Sequence, residues 1–162
     1  MDLSHVRTLL FDWGDTLMQD YALPGPMHEW AKVRVYEDVP ETLSYLARKY
    51  TLGVATNAGT SDAEAVRKAL ERGGIGRYIG PIFAMKEVGF MKPQPGFFDY
   101  AMKKLGQTES EICMVGDSFQ NDVLGVVQLG IAAIWLNRGG PEIRRGHGYS
   151  TIHSFSDLKD LF

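Results

Sequence analysis

Short runs rich in apolar and β-branched residues recur along the whole chain: VRTLLF (6–11), TLGVA (51–55), PIFAM (81–85), EICMV (111–115), IAAIWL (131–136) and a weaker YSTIH (149–153). Each reads as a buried strand. Between them lie helical patterns with recognisable ends. VPETLSYLARK carries Pro40 near its start, and TSDAEAVRKALERGG has Ser61 or Asp62 as a cap and glycines at its close. PGFFDYAMKKLG stops at Gly106 and SFQNDVLGVVQLG at Gly130. Strands that alternate with helices predict an α/β chain with a mainly parallel sheet covered on both faces. In such sheets ligands sit beyond the carboxyl ends of the strands.

A length of 162 residues with 44% hydrophobic content suits one compact domain spanning 1–162. Twenty acidic residues against 17 basic ones leave a net charge of -3, which gives no reason to expect nucleic acid or a membrane surface as a partner. Cys113 stands alone, so no intrachain disulfide can form, and a reducing, cytoplasmic setting is the expectation. No apolar run approaches the length of a membrane span or of a signal peptide. Two stretches break the strand–helix rhythm. Residues 18–38 mix prolines, glycine and both polarities and predict an ordered loop with one helical turn at most. Residues 137–148 are glycine-rich and basic, with Arg138, Arg144 and Arg145 available either to grip an anion or simply to face solvent.

The strand ends, taken together, carry the chemistry. The first strand runs into Asp12, the second into Thr56 and Asn57, and EICMV leads directly to Asp117, Ser118 and Asp122. Singly, Asp12 could be a turn former, and Thr56–Asn57 or Asp117–Ser118 could cap a helix. Jointly they gather carboxylates and hydroxyls at one rim. Crowded carboxylates repel unless a cation neutralises them, and an all-oxygen cluster favours Mg²⁺ over zinc. The four histidines are scattered without a paired spacing. A carboxylate beside Mg²⁺ and hydroxyl donors suits phosphoryl transfer, where positioning and charge neutralisation do most of the work. Lys92, held extended by Pro93, is the available cation, although by itself it reads more readily as a solvated loop lysine.

In this order the motifs resemble those of the haloacid dehalogenase superfamily: FDWGDTL with Asp12, GVATN with Thr56, VGFMKPQPGFF with Lys92, and MVGDSFQND with Asp117 and Asp122. The resemblance covers nearly the whole chain, and IAAIWLNRGG resembles the segment that follows the fourth motif. It implies a Rossmann-like three-layer α/β/α fold and Mg²⁺-dependent hydrolysis of phosphate esters through an aspartyl-phosphate. Carried over, Asp12 is the nucleophile and a metal ligand, the Gly14 carbonyl and Asp117 bind the metal, and Asp122 supports the metal or its waters. Thr56, Asn57 and Lys92 are the phosphate-binding set, with Lys92 neutralising the nucleophile and phosphate.

The chain departs from that pattern in two places. Most phosphatases of the family carry an aspartate two residues after the nucleophile as general acid and then base. Here that residue is Gly14, and the next carboxylate, Asp15, is the candidate replacement or else a turn former. Members that cleave carbon–halogen bonds or phosphonates also lack that aspartate, and the phosphonate hydrolases resemble this chain in having tryptophan, here Trp13, after the nucleophile. Hydrolysis of another bond, or a regulatory module that binds metal and phosphate with little turnover, are therefore the alternatives. The second departure is the cap: only residues 18–38 stand where many relatives insert a cap domain, and the cap that bears the lysine of the phosphonate hydrolases has no counterpart here. The expected site is open, suited to a phosphorylated small molecule, to an exposed phosphate on a larger substrate, or to enclosure by a second copy of the chain.

Overall fold

The computed structural model describes residues 1–162. Six parallel strands, β1 (Thr8–Phe11), β2 (Thr51–Thr56), β3 (Ile82–Ala84), β4 (Ile112–Gly116), β5 (Ala132–Leu136) and β6 (Tyr149–Ile152), form one sheet in the order β3-β2-β1-β4-β5-β6. Every predicted apolar run supplies one of them. The central strands bury both faces, as their unbroken apolar letters require. From β1, Leu9 and Phe11 enter one core while Leu10 enters the other, and from β4 Cys113 and Val115 oppose Ile112 and Met114 in the same way.

Helix α1 (Val39–Leu46) buries Val39, Thr42, Leu43 and Leu46, a single stripe of 3.6-residue period. Helix α2 (Ala63–Arg72) starts at the Asp62 side chain, which accepts from the Ala65 amide at 2.8 Å. A single turn, α3 (Met85–Val88), precedes α4 (Pro95–Leu105), which begins on proline and ends at Gly106 in the left-handed conformation. The helical pattern after β4 forms in a wider coil than expected. Phe119–Leu124 is a π-helical segment that passes into the short α5 (Gly125–Val127). A Cβ on Gly125 would lie 2.3 Å from Pro93 Cβ, so glycine there lets the Lys92–Pro93 loop lie directly on this helix. No helix is long and apolar enough to cross a membrane.

The predicted loop 18–38 is ordered and contains one short turn, Met27–Glu29. Its base is closed where Met18 bridges Val35 and the Gln19 amide donates to the Arg34 carbonyl at 2.8 Å. Its far side is fastened to α2, because Arg72 donates to the carbonyls of His28 (2.6 Å) and Trp30 (2.8 Å). Met27 and Trp30 are buried. Segment 18–38 thus leans over the carboxyl ends of the strands as a pinned flap.

Candidate active site at the strand rim

The chain reverses on either side of β1, towards β2 and towards β4, and this leaves a crevice beyond the strand ends. The crevice is a cleft of about 460 Å³ whose floor holds Asp12, Thr56, Lys92, Asp117 and Asp122 and whose outer wall is the flap. Asp12 continues β1, its amide donating to the Val115 carbonyl at 2.9 Å. Lys92 is buried and points at two carboxylates, Asp12 Oδ1 at 2.8 Å and Asp122 Oδ1 at 2.7 Å. Burial alone would lower the pKa of the Lys92 ammonium, but the two carboxylates outweigh it and hold it above the ordinary value.

One oxygen from each of Asp12, Asp117 and Asp122 lies within 4.8 Å of the others. Burial, together with the charges of Asp12 and Asp122, pushes Asp117 up to about 7. Burial also raises Asp122, to about 6, against the pull of Lys92. A hard divalent cation is the natural neutraliser of such a set, and all the donors are oxygens. Asp122 is the least free of the three. Its Oδ1 takes Lys92 and its Oδ2 takes the Ser118 amide at 3.0 Å, so it holds the lysine as well as standing in the three-carboxylate group. Any side chain on Gly116 would prevent this, because its Cβ would come within 2.1 Å of Asp122 Oδ2.

Several predicted residues have other work. The Asn57 side chain faces the Lys92 backbone, accepting from its amide at 2.7 Å and donating to its carbonyl at 2.9 Å, so the amide group placed in the phosphate set positions the lysine instead. Thr56 is buried at the cleft, and its Oγ1 accepts from the Ala58 amide at 3.1 Å, which leaves its proton to donate. Asp15 adopts a left-handed φ of 57° and its Oδ1 accepts from the Asp20 amide (3.0 Å) and the Tyr36 hydroxyl (3.1 Å). It is the turn former of the two readings, and its carboxylate borders a separate hollow with Tyr36 and Arg138. Trp13 is buried and donates to Met18 Sδ at 3.3 Å, anchoring the flap's base.

The basic loop does not reach the cleft. Arg138 makes a two-pronged pair with Asp38 (2.9 and 3.0 Å) and lies over the Tyr36 ring. Arg144 lies over Phe119 and pairs with Glu142, and Arg145 is exposed.

Two contributors were not singled out from the sequence. Thr16 is fully buried, and its hydroxyl donates to Asp117 Oδ1 (3.1 Å) while accepting from the Asp117 amide (3.2 Å). The threonine of DTL, next to the chemistry, was the available signal. Asp20, on the flap, lines the cleft against Gly14. Nothing local in its sequence marks it.

Residues 15–136 match the model of the haloacid dehalogenase-like hydrolase family. The chain is 37% identical to pyrimidine 5'-nucleotidase YjjG of Escherichia coli over 99% of its own length and 72% of that protein's. It is 31% identical to glyceraldehyde 3-phosphate phosphatase of Methanothermobacter thermautotrophicus over 82% of its length, spanning 61% of that relative. Among solved structures, an uncharacterized protein from Listeria monocytogenes superposes with a TM-score of 0.84 at 23% identity, covering 96% of both chains, which establishes the shared fold.

Proposed function

The chain belongs to the haloacid dehalogenase-like hydrolases, and from that premise we propose that it is a Mg²⁺-dependent phosphatase that cleaves phosphate monoesters through an aspartyl-phosphate on Asp12. Residues 1–162 act as one catalytic unit, with flap 18–38 in the place of a cap. The observation that carries the reading is the buried Lys92 bonded to one oxygen of Asp12. A cation fixed on Oδ1 orients the carboxylate and leaves Oδ2 to attack phosphorus. Two relatives named as a nucleotidase and a phosphatase support phosphate esters as the substrate class.

In this mechanism Thr56 donates its hydroxyl proton to a phosphoryl oxygen, and Lys92 offsets charge on the nucleophile and the transferring group. Asn57 holds the Lys92 backbone in register, and Asp122 holds its ammonium from the far side. Asp12, Asp117 and the Gly14 carbonyl would hold Mg²⁺, with Thr16 orienting Asp117. The ion, when bound, supplies the positive charge that lets carboxylates and phosphate share one space. The cleft admits a phosphorylated small molecule, or a phosphate displayed on a larger one.

Phosphate release from p-nitrophenyl phosphate and from nucleoside monophosphates, with Mg²⁺ and with chelator, tests the proposal. Metal-dependent release that Asp12→Asn abolishes is the expected result. Release that survives Asp12→Asn, or halide or carbon–phosphorus cleavage without phosphate-ester cleavage, would sink it.

A further inference from the structure

Four carboxylates line the cleft, Asp12, Asp20, Asp117 and Asp122. Three are engaged with Lys92 or Thr16. Asp20 differs. Its Oδ1 accepts from the Ala22 amide at 2.8 Å and its own amide is held by Asp15 Oδ1 at 3.0 Å, while Oδ2 has no protein partner. A Cβ built on Gly14 would lie 3.3 Å from both Cβ and Oδ2 of Asp20. The carboxylate of Asp20 therefore stands in the space into which a side chain at position 14 would project. It is brought there by the left-handed turn at Asp15 and by the Met18–Val35 bridge that closes the flap.

Resting on the phosphatase reading above, we propose that Asp20 is the acid and base of this site, delivered from the flap rather than from the nucleophile's own loop. As Asp12 Oδ2 bonds to phosphorus, the bond from phosphorus to the ester oxygen breaks. Its electron pair stays on that oxygen, and a proton carried on the Asp20 carboxyl moves there, releasing an alcohol and leaving Asp20 as carboxylate. In the second half, Asp20 takes a proton from water as the water oxygen bonds to phosphorus. The bond from phosphorus to Asp12 breaks with its electrons returning to Asp12, and inorganic phosphate departs. Asp15 is a positioning residue for this cycle, because it holds the Asp20 amide.

The test is Asp20→Asn, which keeps the Oδ1 acceptor for Ala22 and so preserves the flap turn. Turnover of an alkyl ester, glycerol phosphate, should fall by about 10²- to 10⁴-fold, the usual worth of a general acid. With p-nitrophenyl phosphate, whose leaving group departs readily as an anion, the variant should give a stoichiometric burst of nitrophenol followed by slow steady-state release. That burst reports an accumulated phosphoenzyme, which loss of a merely structural contact would not produce. Gly14→Asp combined with Asp20→Gly, which clears room for the new side chain, should restore alkyl turnover. An active wild type whose two substrates respond equally to Asp20→Asn, or not at all, overturns the assignment while leaving the phosphatase reading intact. A wild type that releases phosphate from neither substrate overturns both.

Discussion

Replacing Lys92 with methionine keeps most of the alkyl stem's volume and removes only the cation. In the folded protein the Lys92 and Asp122 side chains are each 1% exposed, and the ammonium bridges Asp12 and Asp122 at 2.8 and 2.7 Å. Losing one partner of a buried ion pair strands the other charge away from water, which costs about 3–5 kcal/mol. The stranded group here is Asp122, already raised by burial. For a domain of this size each kcal/mol moves Tm by roughly 2–4 °C, so Lys92→Met should lower Tm by about 6–20 °C. Thermal unfolding followed by circular dichroism in chelator, with a urea series to obtain the free energy, measures this without recourse to activity. Adding Asp122→Asn to the variant should recover part of the loss, because the uncompensated charge is then gone. A Tm unchanged by Lys92→Met, or a further fall in the double variant, would refute the claim that the lysine neutralises a buried carboxylate.

Thr16→Val keeps shape but removes both bonds to Asp117; Mg²⁺ affinity measured by calorimetry should weaken about 10- to 100-fold, and Tm should fall because the Asp117 amide loses its acceptor. Gly116→Ala forces a methyl against Asp122 Oδ2 and should displace it, lowering the urea midpoint and costing activity together. Asp38 ties α1 to the strand β6 region through Arg138, Ser154 and the Phe155 amide, and although burial opposes its charge, these donors hold its pKa below the ordinary value. Its ionised form is therefore worth more folded than unfolded. Asp38→Asn should cost about 1.5–3 kcal/mol at neutral pH. That deficit should persist above the unfolded pKa near 4 and shrink as pH falls through the lower folded value, as urea midpoints from pH 7 to 3 would record.

What the sequence determined by itself is local or periodic. Buried strands announce themselves as unbroken apolar runs, and helices as Asp62 and Pro95 at their starts and Gly106 at an end, because propensity and capping act over a few residues. Asp12, Thr56 and Asp117 were legible for the same reason: each is the first polar letter at or just beyond the end of such a run, and parallel strands bring those ends together. The family motifs marked Lys92, but only the packed structure shows that it is buried between two carboxylates and gripped by Asn57 through its backbone. Tertiary structure alone decided the rest. Strand order depends on which runs pair across long separations. Arg138 went to Asp38 rather than to substrate because α1 and the loop after β5 converge. Asp15 could be told from Asp20 only once the flap closed. Both are exposed acids near Gly14, and a hydrogen bond from one to the other's amide turns one into the support and leaves the other's Oδ2 facing the cleft. Spacing along a chain encodes contacts within a turn of helix or a strand pair, whereas the path of a flap is set by anchors as distant as Arg72.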